Sequence, residues 1–301
     1  MIQIFKILFI LIIVCIIIPI NCTSKSNSKW EIIKTFKSLS DVISNNSTSG
    51  LYMGFLNEKI GFAINKGNHV YYSSDSGEKW RETIVDTNPC LSGMEIFDVN
   101  NIVIGCQCRP IEYSNDSAKT WEKIGESSYS IFGFYNNSSG MIAQAVGSRN
   151  IKLLENFKIV KDIKLPKGLK NNTVAVISCL SNNDSYILTS GFGPLLRTRD
   201  GGETWEKINL EKIKDKLVFE PGITSMRFTD INNGIIIAYY YKNSAWISLT
   251  TNNGGKSWKY GELLKVSNQG LRSYLSKDSN YLTIINSYDD ESPVLLLQRK
   301  I

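Results

Sequence analysis

The feature that most constrains this 301-residue chain is a hairpin that recurs at a near-regular interval. Asn57–Gly61 separates the apolar run Tyr52–Leu56 from Phe62–Ile64, and Asp98–Asn101 separates Met94–Phe97 from Ile102–Ile104. Asn136–Gly140 and Asn182–Asp184 do the same for Ile131–Tyr135 with Met141–Ala143 and for Val174–Leu180 with Tyr186–Leu188. Asp230–Gly234 and Lys277–Asn280 complete the set, between Ile223–Phe228 and Ile235–Tyr240 and between Leu271–Leu275 and Tyr281–Ile285. The turns begin at positions 57, 98, 136, 182, 230 and 277, so the steps are 41, 38, 46, 48 and 47 residues. Helical periodicity is missing apart from a possible turn around Leu210–Leu217. Units of this length, built from short strands and turn residues, imply an all-β array of small sheets that close on themselves.

A second, more specific hairpin lies inside four of the units. Ser73-Ser74-Asp75-Ser76-Gly77-Glu78-Lys79-Trp80 is answered by Ser114-Asn115-Asp116-Ser117-Ala118-Lys119-Thr120-Trp121. Thr198-Arg199-Asp200-Gly201-Gly202-Glu203-Thr204-Trp205 and Thr251-Asn252-Asn253-Gly254-Gly255-Lys256-Ser257-Trp258 follow. The Asp or Asn oxygen can accept bonds from backbone amides two residues on. The glycine supplies a positive φ, and the Trp can fold over the turn as an apolar plug. Ala118 stands where the other copies have glycine, so it must carry backbone strain if the turn is unchanged. Asn253 keeps the acceptor oxygen and loses the charge.

These copies resemble the Asp-box, or BNR, repeats of β-propellers. That group includes sialidase-like and sortilin-like proteins and the propellers resembling photosystem II assembly and stability factors. The assembly-factor-like propellers are the nearest resemblance, and it spans almost the whole chain after its first residues. Nothing in the residues indicates photosynthesis, so only a scaffold role is carried over. The resemblance implies that Asp75, Trp80, Asp116, Trp121, Asp200, Trp205, Asn253 and Trp258 are structural and lie at the blade periphery, away from the ligand face.

Six repeats predict a six-bladed propeller of four strands per blade. A seventh blade would require strands hidden in Ser38–Ser49 or Lys164–Asn172, and both read as loop. The third unit has lost its box, with Asn156 as the expected turn residue and no Trp. The sixth unit ends at its third strand, Val294–Leu297. Trp30-Glu31-Ile32-Ile33 copies the Trp-Glu-Lys-Ile runs at 205 and 121. Residues Lys29–Phe36 are therefore expected to pair with Val294–Gln298 and close the ring, removing the exposed edges of an open array.

Residues 1–21 read as a signal peptide: Ile7–Ile20 is a run of 14 residues without a charge, preceded by Lys6. That is short of the roughly 20 apolar residues a spanning helix needs. Cys22 follows at once and opens a polar linker, 22–28, which resembles a lipoprotein processing site and implies lipidation of Cys22. A plain secreted protein and an uncleaved anchor are the alternatives. The propeller is then 29–301, exported and held at the cell envelope or secreted. The chain is 42% apolar and 21% charged, ordinary for a globular domain. Its formal charge of +6 is carried by scattered lysines, which excludes a nucleic-acid stripe.

Four cysteines remain beyond Cys15 and Cys22: Cys90, Cys106, Cys108 and Cys179. A register centred between Val99 and Asn100 sets Cys90 opposite Arg109, beside Cys108, so a Cys90–Cys108 disulfide is expected, or else Cys90–Cys106, with free thiols as the alternative. The chain has one histidine, His69, remote from Cys106 and Cys108, so no metal site or cofactor is expected.

The function classes are two. A sialidase-like hydrolase would clamp a carboxylate with three arginines and use a Tyr–Glu pair with an Asp acid/base. Here no arginine precedes the first box, and Arg81, Arg197 and Arg199 belong to the periphery. Arg109, Arg149, Arg227 and Arg272 do not form a trio with the expected placement. The favoured expectation is a non-enzymatic, monomeric scaffold that binds another protein or complex at the envelope. Its candidate contacts are the channel-rim residues Glu126, Tyr129, Lys170, Phe219, Glu220 and Arg272, aromatic anchors among polar groups. A sialidase-like glycoside hydrolase or a glycan-binding propeller is the alternative.

Overall fold

The computed structural model describes residues 30–36, 52–65, 69–85, 91–106, 110–125, 128–144, 150–169, 173–191, 193–208, 210, 224–240, 244–265, 271–286 and 294–300. They form six antiparallel four-stranded sheets. Blade 1 is β2 (Tyr52–Phe55), β3 (Gly61–Ile64), β4 (His69–Ser73) and β5 (Arg81–Ile84). Blade 2 is β6 (Leu91–Ile96), β7 (Ile102–Cys106), β8 (Ile111–Ser114) and β9 (Glu122–Ile124). Blade 3 is β10 (Ile131–Phe134), β11 (Gly140–Ala143), β12 (Asn150–Glu155) and β13 (Lys158–Lys164). Blade 4 is β14 (Val174–Cys179), β15 (Ser185–Thr189), β16 (Leu195–Thr198) and β17 (Glu206–Ile208). Blade 5 is β18 (Ser225–Phe228), β19 (Gly234–Tyr240), β20 (Ala245–Thr251) and β21 (Lys259–Lys265). Blade 6 takes β22 (Leu271–Leu275), β23 (Tyr281–Asn286) and β24 (Val294–Arg299) from the end of the chain and β1 (Trp30–Phe36) from near its start.

The ring closes as the repeats predict. Strand β1 pairs with β24 from Trp30↔Arg299 to Phe36↔Val294, with a bulge between Ile32 and Lys34. Each innermost strand touches the innermost strands of the two neighbouring blades, including β22 against β2 across the closure. The core is divided accordingly. Six apolar clusters of buried side chains lie between successive sheets, for example Phe36, Met53, Phe55 and Leu296 where blade 6 meets blade 1. An apolar residue therefore stabilises two blades at once, and neither buries its face alone.

The four specialised turns share one geometry. Ser73 Oγ accepts from the Gly77 amide at 2.8 Å, and Asp75 Oδ1 accepts from the Lys79 amide at 3.0 Å. Thr198 and Asp200 repeat this with Gly202 and Thr204, and Ser114 and Asp116 with Ala118 and Thr120. In blade 5, Asn253 Oδ1 accepts from the Ser257 amide at 2.9 Å while its Nδ2 donates to Ser257 Oγ at 2.8 Å. Two successive residues are left-handed in each turn, and Ala118 adopts φ 62° where Gly202 and Gly255 have φ 88°. Blade 3 keeps the hairpin without the motif: Asn156 and Phe157 have φ 49° and 61°, and the Phe157 ring stacks on Tyr113 at 4.0 Å.

These turns also join neighbouring blades. A Cβ built on Gly77 would lie 2.6 Å from the Phe36 ring of blade 6, and one on Gly202 would lie 2.5 Å from Ile163 of blade 3. Ala118 tolerates a methyl where Val85, smaller than Phe36 or Ile163, shares its cluster. Lys34 donates to Ser76 O and pairs with Glu78 of the next blade, and Lys161 does the same to Gly201 O and Glu203.

Blade 2 departs from the expected register. The observed pairs are Ile96↔Ile102 and Gly93↔Gly105, and a bulge then brings Leu91 opposite Cys106. The line that set Cys90 against Arg109 is therefore displaced. Cys90 and Cys108 lie outside the described residues, as does Cys22, so their pairing and lipidation stay as expectations. Cys179 is a buried free thiol, which burial pushes up to about 11.

Candidate functional site

The two ends of the ring differ. In blades 1 to 5 the turn between the third and fourth strands donates an amide to the turn between the first and second, as in Ser76 N to Lys59 O at 2.9 Å and Gly254 N to Asn232 O at 2.8 Å. All specialised turns therefore sit at one end, the hairpin end. Asp75, Trp80, Asp116, Trp121, Asp200, Trp205, Asn253 and Trp258 are at this periphery, occupied with their own turns and with blade packing. The opposite end, where the innermost strands begin, is the mouth.

Innermost strands can be compared position by position through the amide that closes each first hairpin: Leu56, Phe97, Tyr135, Leu180, Thr229 and Ser276. Two residues earlier in each strand stand Gly54, Glu95, Gly133, Ser178, Arg227 and Tyr274. This layer does not repeat. Glu95 in blade 2 forms an ion pair with Arg227 in blade 5, which stands across the axis. Their side chains are 3% and 11% exposed. Arg227 Nε also donates to Leu275 O at 3.4 Å. Burial works against the Arg227 charge, but Glu95 and the neighbouring Tyr274 outweigh it and hold the guanidinium pKa above its ordinary value.

Small residues make room for these large ones. The Tyr274 ring lies where a Gly54 Cβ would be, 2.4 Å away, and its hydroxyl accepts from the Ile96 amide at 3.1 Å. Burial, reinforced by Glu95, raises the Tyr274 pKa and keeps the phenol protonated. Ser178 Oγ accepts from the Phe228 amide at 2.9 Å. Nearer the hairpin end, Lys277 of blade 6 reaches Tyr135 O of blade 3 at 3.3 Å and stands 4.4 Å from the Phe97 ring centroid. Burial lowers its pKa, with Glu95 acting in the opposite direction. The axis is thus crossed twice, by Glu95–Arg227 and by Lys277–Tyr135.

Toward the mouth the innermost strands turn mixed in character. Tyr52, Phe132, Val176, Ser225 and Arg272 are partly exposed there. The Arg272 guanidinium stacks 4.0 Å over the Tyr52 ring, and the hydroxyls of Ser225 and Ser273 meet at 2.8 Å. Arg272 is therefore on the mouth side of the channel, as its sequence position suggests. Tyr129 is not a rim contact: it is 4% exposed and packs with Val103, Ile111 and Phe134 between blades 2 and 3. Its neighbours in the chain made it look like part of a loop, but its ring fills an apolar gap between two sheets. Glu126, Lys170, Phe219 and Glu220 lie outside the described residues.

Sequence reading missed Glu95, Tyr274 and Lys277 as members of one axial cluster, and considered Arg227 only as a lone candidate. The available signal was a charge inside an otherwise apolar inner strand, in Met94-Glu95-Ile96 and Met226-Arg227-Phe228. His69 Nδ1 pairs with Glu82 at the outer side of blade 1, beside Tyr71. Among the described residues no group of His, Cys, Asp and Glu could hold a metal ion.

Fold and axis together define an all-β six-bladed propeller braced across its axis. Comparison with solved structures agrees at the level of fold. YCF48 bound to D1 peptide matches with a TM-score of 0.55 at 10% identity, covering 89% of this chain and 94% of that one. YCF48 from Cyanidioschyzon merolae matches with a TM-score of 0.53 at 11% identity, over 90% and 98%. An ancestral GH74 enzyme also matches, with a TM-score of 0.53 at 13% identity, but this chain spans only 35% of that protein. No protein-family model matches the chain, and neither does any curated protein.

Proposed function

We propose that this chain is an exported Asp-box propeller, anchored to a membrane through Cys22, that binds another protein or complex at its mouth and catalyses nothing. The observation that carries the reading is the state of the axial charges. Arg227, the described arginine deepest in the channel, is buried and neutralised by Glu95 rather than presented to a ligand. An enzyme clamping an anionic sugar would need its guanidinium groups free to exchange water for substrate. The mouth instead offers a stacked Arg272–Tyr52 pair, Phe132 and serine hydroxyls, the mix of aromatic and arginine anchors common in protein contacts. A YCF48 propeller of similar fold and length holds a peptide, which supports a polypeptide partner.

The test is cross-linking of the tagged full chain in its own cells, followed by recovery from the membrane fraction. A single stoichiometric partner is expected, lost in Arg272→Glu and kept in Lys256→Glu at the hairpin end. Recovery of no partner at low salt, together with turnover of a fluorogenic sialoside or binding on a glycan array, overturns the reading.

A further inference from the structure

We infer that the hairpin end of the axis is a second binding site, separate from the mouth, and that it takes a small carboxylate with an apolar body. The residues whose amides close the first hairpin of each blade, Leu56, Phe97, Tyr135, Leu180, Thr229 and Ser276, stand at one level of the ring. Leu56, Phe97, Tyr135 and Leu180 are all partly exposed there. One partly exposed apolar side chain is ordinary, but four at one level of a closed ring make an apolar cup.

Ser276 is buried, and its neighbour Lys277 crosses the cup instead. Its Nζ stands 4.4 Å from the Phe97 ring centroid and donates to Tyr135 O at 3.3 Å. The next level, two residues back along the inner strands, is filled by Tyr274 over Gly54 and by the Glu95–Arg227 pair. Two residues of a strand rise by about 7 Å, so the cup is shallow.

The amine sets the class of ligand. An ammonium has three N–H donors, and Tyr135 O takes one of them. The carboxylates that adjoin Lys277 or act on its charge are committed elsewhere. Glu95 pairs with Arg227, Asp98 accepts from the Asn100 and Asn101 amides, and Asp278 accepts from the Asn280 amide and the Ser276 hydroxyl. Among the described residues Lys277 has no ion-pair partner. A half-buried cation without a counter-ion is costly. A carboxylate on Nζ supplies that counter-ion, while a ring or short chain attached to it covers the Phe97, Tyr135, Leu56 and Leu180 side chains. A cationic ligand is opposed by Lys277 and by Arg227 behind it, and the filled level below excludes a chain threaded along the axis.

The test is an amide NMR titration of the full chain with hydrocinnamate, with hydrocinnamyl alcohol and acetate as the probes that lack the charge or the apolar body. Hydrocinnamate is expected to shift the amides of Phe97, Tyr135 and Lys277 saturably, and to bind about tenfold more tightly than either of the other two. Lys277→Met loses that advantage and Lys277→Arg keeps most of it. Should Lys277→Met fail to fold, the comparison of acid with alcohol on the wild-type chain decides the matter. Equal binding of the alcohol, shifts confined to the mouth, or no saturable binding at millimolar hydrocinnamate overturns the site and leaves the reading of the mouth untouched.

Discussion

The rim and the axis of this propeller are built on opposite principles. At the rim, four blades solve one problem four times: a hydroxyl, an Asp or Asn and two left-handed residues close the outer hairpin. At the axis, each blade contributes a different residue to one layer, and small residues on some blades accommodate large ones on others. The hydrogen bonds that close each rim turn are local in sequence, spanning about four residues. Axial ones join residues as far apart as Ile96 and Tyr274, 178 positions away. Repetition preserves the fold of each blade, and departure from repetition fixes how the blades meet.

The largest expected effect tests the axis. Arg227→Met leaves the buried Glu95 side chain without its ion-pair partner, and loses about 3–5 kcal/mol of stability. The pair Glu95→Met and Arg227→Met together loses far less than the sum of the two singles, because no uncompensated charge remains. Denaturant unfolding of the four proteins measures this coupling. Strictly additive losses would mean that the two side chains do not interact across the axis.

Next is a rim position that also bears on a blade junction. Gly202→Ala places a Cβ at φ 88° and 2.5 Å from Ile163, and loses about 2–4 kcal/mol from left-handed strain and overpacking combined. The same thermal or denaturant measurement on Gly168→Ala, where a Cβ meets nothing within 4 Å at φ 87°, isolates the strain component. Equal losses at both positions would remove the packing role of the turn glycine.

A smaller effect separates the turns from one another by pH. Hydrogen bonds from Thr204 and Thr198 lower the Asp200 pKa to about 2, and Asp116 also falls to about 2, where bonds from Thr120 and Ser114 overcome its partial burial. A carboxylate depressed in the folded state contributes stability above its unfolded pKa, and loses it as pH falls through the folded one. The turns of blades 2 and 4 therefore loosen between about pH 4 and pH 2. The Asn253 turn of blade 5 has no group that titrates in place of the Asp. Amide exchange across this range should show protection lost at Thr120 and Thr204 before Ser257. Simultaneous loss would mean that acid acts on the ring as a whole.

The smallest effect is a gain. Ala118→Gly relieves left-handed strain but gives up a buried methyl, for a net stabilisation of up to about 1 kcal/mol. A loss of stability instead would show that contact with the Val85 cluster outweighs the backbone strain.

Legibility in the sequence followed the range of the interactions. The box residues, the Asn156 turn of blade 3 and the ring closure by Trp30–Phe36 were all readable, because each is carried by a short pattern repeated elsewhere in the chain. The blade 2 register was misread by one residue at the turn, which is centred on Val99 so that Ile96 pairs with Ile102, and the bulge between Leu91 and Gly93, which leaves no trace in the alternation of apolar residues, shifts it further. Tyr129 was read as a rim contact because only the packing of blade 2 on blade 3 reveals that its ring is enclosed.

The sequence by itself determined the all-β class, the number of blades, the turn chemistry and the strand that closes the ring. These depend on hydrogen bonds and dihedral preferences within a few residues, repeated often enough to be recognised. The tertiary structure decided that Glu95 meets Arg227, that Tyr274 lies over Gly54 and that Lys277 reaches blade 3. None of these has a local signature. Each exists because a closed ring brings distant inner strands within one side chain's length of a common axis.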